Sequence, residues 1–145
     1  MGHDKIFINF AGGILANEAG EILLHLHGDK HIWSLLGGPM EFGESSVDTC
    51  CREFLEEIGI VVEPIRLLNV YTNSEERYPN GDVCQSVLFV YEVKTRGKVD
   101  IAHFQNEETL QLGFFSREEI ANLVLTDKHR LVSEEYYSGQ FAMGN

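Results

Sequence analysis

The first part of the chain carries apolar, β-branched and aromatic runs that are typical of strands. Residues 5–15 (KIFINFAGGIL) form one such run, and residues 21–27 (EILLHLH) form another after the turn-like sequence at 17–20. This order predicts two strands joined as a hairpin. A short apolar step at 32–36 then leads into the glycine pair at 37–38.

The spacing of apolar residues changes between positions 45 and 58. They recur there at intervals of three and four, which at about 100° per residue gathers them on one side of a helix. The residues on this side are Val47, Cys50, Cys51, Phe54, Leu55 and Ile58. Ser45 and Asp48 form the S-x-x-D pattern of a capping box, and Gly59 stands where a helix would end. The pattern predicts a capped helix whose apolar side packs against a sheet.

Strand patterns return after this helix, and two further helices follow. The remaining strand-like runs are residues 61–72, 82–93 and 110–115, the first two joined by the turn sequence NSEERYPNG. Ser116 with Glu119 predicts the capped start of a short helix, and the last helical stretch covers residues 127–137. We therefore predict the α/β class, with a mixed β-sheet and helices packed on its faces.

The length and the cysteines narrow the class of protein. From a length of 145 residues we expect one ordinary domain, with no room for a second. It has no run of roughly 18 or more apolar residues, and its start lacks the basic and apolar parts of a signal peptide, so we expect neither a membrane segment nor export. Cys50, Cys51 and Cys84 are odd in number and form no C-x-x-C pair, which favours reduced thiols in the cytoplasm.

The charge of the chain bears on its partners. A formal net charge of −12 speaks against binding to polymeric nucleic acid, which depends on basic patches that displace counterions from phosphates. An acidic protein can still act on a phosphate compound when a cation lies between the two.

The predicted helix at 45–58 carries a strip of glutamates. Glu53, Glu56 and Glu57 stand at i, i+3 and i+4, so their carboxylates share one strip, with Arg52 beside it. A solvated acidic face is the ordinary interpretation of such a strip. The like charges nevertheless repel one another, and a hard divalent ion such as Mg²⁺ would turn the same strip into a binding site with oxygen ligands.

A longer pattern surrounds this strip. Five residues separate Gly38 from Glu44, seven more lead to Arg52, and the sequence continues as EFLEEIGI to position 60. The run resembles the signature of the Nudix (MutT-like) hydrolase family, G-x5-E-x7-R-E-U-x-E-E-x-G-U with U apolar. All seven fixed positions match. At roughly one in fifteen per position, a chance match is on the order of one in 10⁸ per starting point. Phe54 departs slightly, being aromatic where the family usually has an aliphatic residue.

The resemblance implies an α/β/α sandwich with a mixed β-sheet, formed by residues 1–145 as a single domain in which residues 38–60 make a loop, a helix and a loop. It also implies a pyrophosphohydrolase that uses Mg²⁺ or Mn²⁺ to cleave a nucleoside diphosphate linked to another group. Its partner would be a small nucleotide compound, and a homodimer is possible. Carried over position by position, the metal ligands are the carbonyl of Gly38 and the carboxylates of Glu53, Glu56 and Glu57. Arg52 and Glu44 would orient these carboxylates.

The general base and the substrate contacts are less closely defined. A carboxylate of the strip, Glu53 or Glu56, can take a proton from water, and Glu107 or Glu108 in the sequence NEET offers an alternative base outside the strip. Some relatives that act on dinucleoside polyphosphates carry a tyrosine past the signature, where this chain has Tyr78. We assign Tyr78 as a candidate substrate contact; a turn residue packed beside Pro79 is the other interpretation.

Histidines replace the basic residues that many relatives carry after the second strand. His25 and His27 alternate on one face of that strand, followed by Lys30 and His31. A zinc site would need a spaced third ligand, which the strand does not supply.

Two other functions on the same fold stay open. One is a nucleotide-sensing module that binds without turnover, against which the intact glutamate set argues. The other is a diphosphate isomerase, which is disfavoured because no cysteine lies in a loop that would face these acids.

Overall fold

A computed structural model describes residues 5–27, 31–97 and 109–145 of the chain. The elements in these ranges are β1 (Lys5–Leu15), β2 (Ile22–His27), β3 (Ile32–Ser34), β4 (Leu36–Pro39), α1 (Ser46–Ile58), β5 (Val62–Arg77), β6 (Val83–Thr95), β7 (Thr109–Phe115), α2 (Arg117–Ile120) and α3 (Asp127–Ser138). None of the described helices is long and apolar enough to cross a membrane.

The strands form a mixed four-stranded sheet and a smaller antiparallel one. The larger sheet has the order β4-β1-β6-β5, in which β1 runs parallel to β6 and the other pairs are antiparallel. The smaller sheet has the order β3-β2-β7. Mixed pairing of this kind is typical of α/β folds.

The predicted hairpin of β1 with β2 is wrong. The two strands meet at an isolated bridge between Ala16 and Ile22 and then enter different sheets. The turn between them is tightened by Asn17, whose side-chain oxygen accepts a hydrogen bond of 2.9 Å from the amide of Glu21. The place beside β1 is taken by β4, which approaches so closely that a Cβ on Gly12 would meet the carbonyl oxygen of Leu36 at 2.5 Å.

Two apolar clusters hold helices on the two faces of the sheets. One cluster packs α1 on the larger sheet through Cys50, Phe54 and Ile58, which meet residues such as Ala11 and Val93. The other cluster joins Ile120 and Val132, from α2 and α3, to the opposite side, where its buried members include Ile14, Leu24, Tyr71 and Val90. Ile14 of β1 thus points to this cluster and its neighbour Leu15 to the first, as the pleat of a strand requires. The predicted α/β sandwich is confirmed.

The caps of α1 are as predicted, but its buried face is not. Ser45 and Asp48 form the capping box, and Gly59 ends the helix in the left-handed conformation with φ 68°. Val47 and Leu55 were expected on the buried side and are 39% and 54% exposed. Thr49, Glu53 and Glu57 are buried instead. The helix is rotated so that Glu53 and Glu57 face β4, where the space at Gly38 and the amide of Gly37 accommodate them.

The later elements match the prediction with one difference. Strand β5 continues to Arg77, through most of the sequence expected as a turn, and the chain reverses between Tyr78 and Asp82. The capping box of Ser116 with Glu119 is present at the start of α2.

Glu135 of α3 fastens the C-terminal segment to β5. Its carboxylate accepts hydrogen bonds from the hydroxyl of Tyr71 (2.6 Å), the side-chain amide of Asn69 (3.1 Å) and the backbone amide of Ala142 (3.0 Å). The side-chain oxygen of Asn69 also accepts from the amide of Gly144 at 3.1 Å. Because Glu135 is buried, removal of its carboxylate would leave the buried hydroxyl of Tyr71 and the buried side-chain amide of Asn69 without this acceptor.

We expect Glu135→Ala to lower the free energy of unfolding by about 3 kcal/mol, since stranded buried donors cost more than a lost surface contact. Urea denaturation measures the loss. The control is Glu134→Ala, which removes an exposed ion pair with Arg117 (2.9 Å) and should cost less than about 1 kcal/mol. Equal losses in the two variants would contradict the role assigned to Glu135.

Candidate functional site

Glu53 packs directly on the glycine pair of β4, Gly37 and Gly38. The backbone of Gly38 lies so close to this carboxylate that a Cβ there would overlap with both carboxylate oxygens and the carbon between them. Glu53 is only 9% exposed, although it carries an ionisable group. A side chain larger than hydrogen at position 38 is therefore incompatible with this placement of Glu53.

Glu57 lies one turn further along α1 and contacts two strands. One carboxylate oxygen accepts a hydrogen bond of 3.0 Å from the amide of Gly37 in β4. The other oxygen lies 3.4 Å from Nε2 of His25 in β2. With 4% of its surface exposed, Glu57 is fixed from both sides.

Arg52 forms ion pairs with several carboxylates at once. Its guanidinium binds both oxygens of Glu44, at 2.7 and 3.0 Å. A single nitrogen, Nη1, donates to Glu53 at 3.0 Å and to Glu56 at 3.1 Å, and Nη2 donates to the carbonyl of Pro39 at 3.0 Å. Arg52 therefore links the helix, the loop before it and the end of β4.

The charges in this cluster are unevenly balanced. Hydrogen bonds from Arg52 and from the Glu41 amide hold the pKa of Glu44 down at about 2. Burial raises the pKa of Glu53, and the charge of Glu56 adds to this, while Arg52 opposes it. One guanidinium is thus divided among four carboxylates, those of Glu41 (3.7 Å), Glu44, Glu53 and Glu56, and it does not offset the burial of Glu53. A second cation beside Glu53 would offset that burial.

The chemistry of the donors fits a hard divalent cation. Carboxylate and carbonyl oxygens are the ligands that Mg²⁺ and Mn²⁺ prefer. Within the described ranges, however, no three His, Cys, Asp or Glu side chains are already arranged around a common point. Glu56 is turned towards Arg52, with 58% of its side chain exposed. The described carboxylates are therefore neighbours that are not grouped around one point.

His25 is neutral in this surrounding. Burial lowers its pKa to about 4, and the nearby His27 and His129 act in the same direction. The rings of His25 and His27 lie 5.6 Å apart, edge to face. No third zinc ligand joins them in the part of the chain that the structure describes.

A cavity of about 530 Å³ opens beside Glu57. It lies between the glycine pair of β4, strand β6 and the start of α3. The polar residues of its wall include His25, His27, Ser86, Asp127, Lys128 and His129, and apolar residues such as Phe10 and Leu88 complete it.

The structure brings together the residues of the predicted glutamate site: Gly38, Glu44, Arg52, Glu53, Glu56 and Glu57. Tyr78 lies at the reversal between β5 and β6, half-exposed, and is absent from the described wall of the cavity. Glu107, Glu108 and Lys30 lie outside the described residues. Sequence reasoning noticed His25 without its partner Glu57. It missed His129, because a single histidine on a mostly polar helix gives no signal of its own.

Comparison with known proteins places this geometry in a family. The NUDIX domain family matches residues 9–137. The chain belongs to that family. This NUDIX domain is 32% identical over 108 residues to a mouse protein (Mus musculus) named 8-oxo-dGDP phosphatase NUDT18, an alignment that covers 72% of this chain and 31% of the relative. The chain thus spans about a third of the length of that relative.

Solved structures share the fold. A UDP-X diphosphatase superposes with a TM-score of 0.75 at 22% identity, covering 94% of this NUDIX domain and 66% of the other chain. A MutT NUDIX hydrolase from Burkholderia pseudomallei superposes with a TM-score of 0.70 at 26% identity, covering 88% of this chain and 96% of the other.

We expect His25 to make the fold less stable as the pH falls. The unfolded chain binds this proton near the ordinary pKa of 6.5, but the folded chain binds it only near 4, so acid favours unfolding between these values. The loss should reach about 2 kcal/mol on going from about pH 6.5 to about pH 4.5. Urea denaturation across this range should show a shallower pH dependence for His25→Gln. An unchanged dependence would contradict this.

Proposed function

We propose that this NUDIX domain is a Mg²⁺-dependent pyrophosphohydrolase that cleaves a nucleoside diphosphate linked to another group. Mn²⁺ is the alternative ion. The observation that carries the proposal is the burial of Glu53 and Glu57 against the glycine pair at 37–38, with Arg52 divided among the neighbouring carboxylates. This arrangement concentrates oxygen donors and negative charge where a divalent cation would offset both.

The names of two similar proteins support the type of substrate. The mouse relative is named as a phosphatase of 8-oxo-dGDP, and one solved structure is named a UDP-X diphosphatase. Each name contains a nucleoside diphosphate. We propose a substrate of the same broad class, which includes nucleotides, dinucleoside polyphosphates and nucleotide-sugars.

We propose that the Gly38 carbonyl, Glu53, Glu56 and Glu57 hold the ion. A divalent cation there would supply neutralisation of charge on phosphate oxygens and make water more acidic. Arg52 and Glu44 act as positioning residues, since their bidentate pair fixes the guanidinium that holds Glu53 and Glu56. A carboxylate of Glu53 or Glu56 would take the proton from the attacking water. Glu108 is the alternative base.

The cavity beside Glu57 suits the organic part of the substrate. Its volume is in the range of small-molecule sites, and apolar walls with a few polar groups are typical of such sites. We further propose that residues 1–145 act as one domain and that the protein works in the cytoplasm. The three free cysteines support a reducing environment.

The direct test is a screen of nucleoside diphosphate derivatives with Mg²⁺, followed by detection of the released phosphate-bearing products. We expect turnover of at least one compound, and a loss of about a hundredfold or more in Glu57→Gln. Glutamine keeps the volume and can still accept from the Gly37 amide, but it lacks the charge. Glu134→Gln, an exposed site on α3, is the matched control.

Two outcomes would contradict the hydrolase proposal. Binding of these compounds without turnover would favour a nucleotide-sensing module. Full turnover by Glu57→Gln at saturating Mg²⁺ would show that the buried carboxylates do not hold the ion.

We also expect Gly38→Ala to weaken binding of Mn²⁺ by about tenfold or more, because the new methyl group would displace Glu53. Gly97→Ala is the control, since no atom lies within 4 Å of a Cβ at that position. Isothermal titration with Mn²⁺ compares the two. Equal affinities would mean that the contact between Gly38 and Glu53 has no part in binding the ion.

A further inference from the structure

Three alternate backbone amides between Trp33 and Gly37 bind partners outside the sheets. The amide of Trp33 donates to the carbonyl of Val124 at 2.9 Å, before α3 begins. The amide of Leu35 donates to Nδ1 of His129 in α3 at 3.0 Å, and the amide of Gly37 donates to Glu57 in α1 at 3.0 Å. Alternate amides of an extended segment point the same way, so three bonds along one edge fix its register.

The middle bond depends on one side chain. His129 accepts through Nδ1, so that nitrogen carries no proton and the ring is neutral, with its hydrogen on Nε2. Burial lowers the pKa of His129 to about 4, and the charge of Lys128 adds to this, which keeps the ring neutral near neutral pH. The acceptor for the Leu35 amide is therefore present under ordinary conditions.

Strand β1 pairs with the opposite edge of residues 36–39, but Leu35 precedes this pairing. The two bonds on either side of Leu35 do not replace the one made by His129. The Trp33 bond lies four residues before Gly37, and the Gly37 bond is made by Glu57, which is itself one of the proposed ligands. Leu35 is buried, so without His129 its amide would have no protein acceptor at that point. A shift of Leu35 would also move the glycine pair at 37–38, where the contact between Gly38 and Glu53 leaves no free space.

We propose that His129 is a positioning residue for the site: by accepting from the Leu35 amide, it fixes the chain where it enters β4 and so helps to hold the glycine pair at 37–38 against Glu57 and Glu53. The proposal rests on the proposed function, because its effect on turnover requires that these carboxylates hold the ion. It joins α3, from the far end of the chain, to a site built on α1 and β4.

A pair of substitutions separates the acceptor from the bulk of the ring. In His129→Asn, the side-chain oxygen can reach the place of Nδ1 and accept the same hydrogen bond. In His129→Leu, the volume remains but the acceptor is lost. Leucine also favours helix more than histidine does, so this variant opposes a general loss of α3.

The measurements are amide hydrogen exchange at Leu35 and Gly37 by NMR, the affinity for Mn²⁺ alone, and kcat and KM. For His129→Leu we expect exchange at both amides to rise about tenfold, Mn²⁺ binding to weaken several-fold, and kcat to fall about tenfold with a smaller change in KM. For His129→Asn we expect all four quantities to stay within about threefold of the wild type.

Two results would overturn the proposal. One is wild-type exchange and wild-type Mn²⁺ affinity in His129→Leu, which would leave His129 a packing residue only. The other is equal damage in both variants, which would mean that the acceptor is not what matters. Exchange and Mn²⁺ binding need no substrate. If they change as expected while no compound is turned over, the positioning role stands and the hydrolase proposal falls.

Discussion

The site depends on the burial of two carboxylates against a backbone without side chains. Glu53 and Glu57 lie on the face of α1 that packs towards the sheet, where an apolar helix would place leucine or valine. Such groups are costly to bury unless hydrogen bonds or opposite charge compensate them. Gly37 supplies an amide and Gly38 supplies space, so the glycine pair of β4 and the polar face of α1 are complementary in shape and hydrogen bonding. The rotation of α1, with Leu55 exposed, follows from this fit.

The positive charge of Arg52 is divided unequally among the carboxylates in the same region. Arg52 satisfies Glu44 fully and shares what remains between Glu53 and Glu56. Pairing with Arg52 therefore holds the pKa of Glu44 low, while burial raises the pKa of Glu53. The two carboxylates therefore differ: Glu44 fixes the guanidinium, whereas Glu53 is buried with only part of its charge offset.

The sequence predicted what depends on local patterns. The caps of α1 and α2 and the extent of α3 follow from side chains a few residues apart, and the fixed spacing from Gly38 to Gly59 indicated the glutamates as a candidate site. The pairing of β1 was beyond it, because its partners β4 and β6 are chosen by tertiary packing. Periodicity also misplaced Val47 and Leu55, since it assumes that buried positions are apolar. The bond from His129 to Leu35 joins distant parts of the chain and leaves no pattern in either.

The parallel pairing of β1 with β6 has a consequence for how the chain acquires its structure. Lys5 of β1 pairs with Val83 of β6, so one edge of β1 stays unpaired until β6, late in the sequence, is available. The contacts among β1, β4 and α1 are closer in sequence and can form earlier. During synthesis from the N-terminus, the acidic helix can therefore dock on β1 and β4 while the other edge of β1 is still open to unwanted pairing.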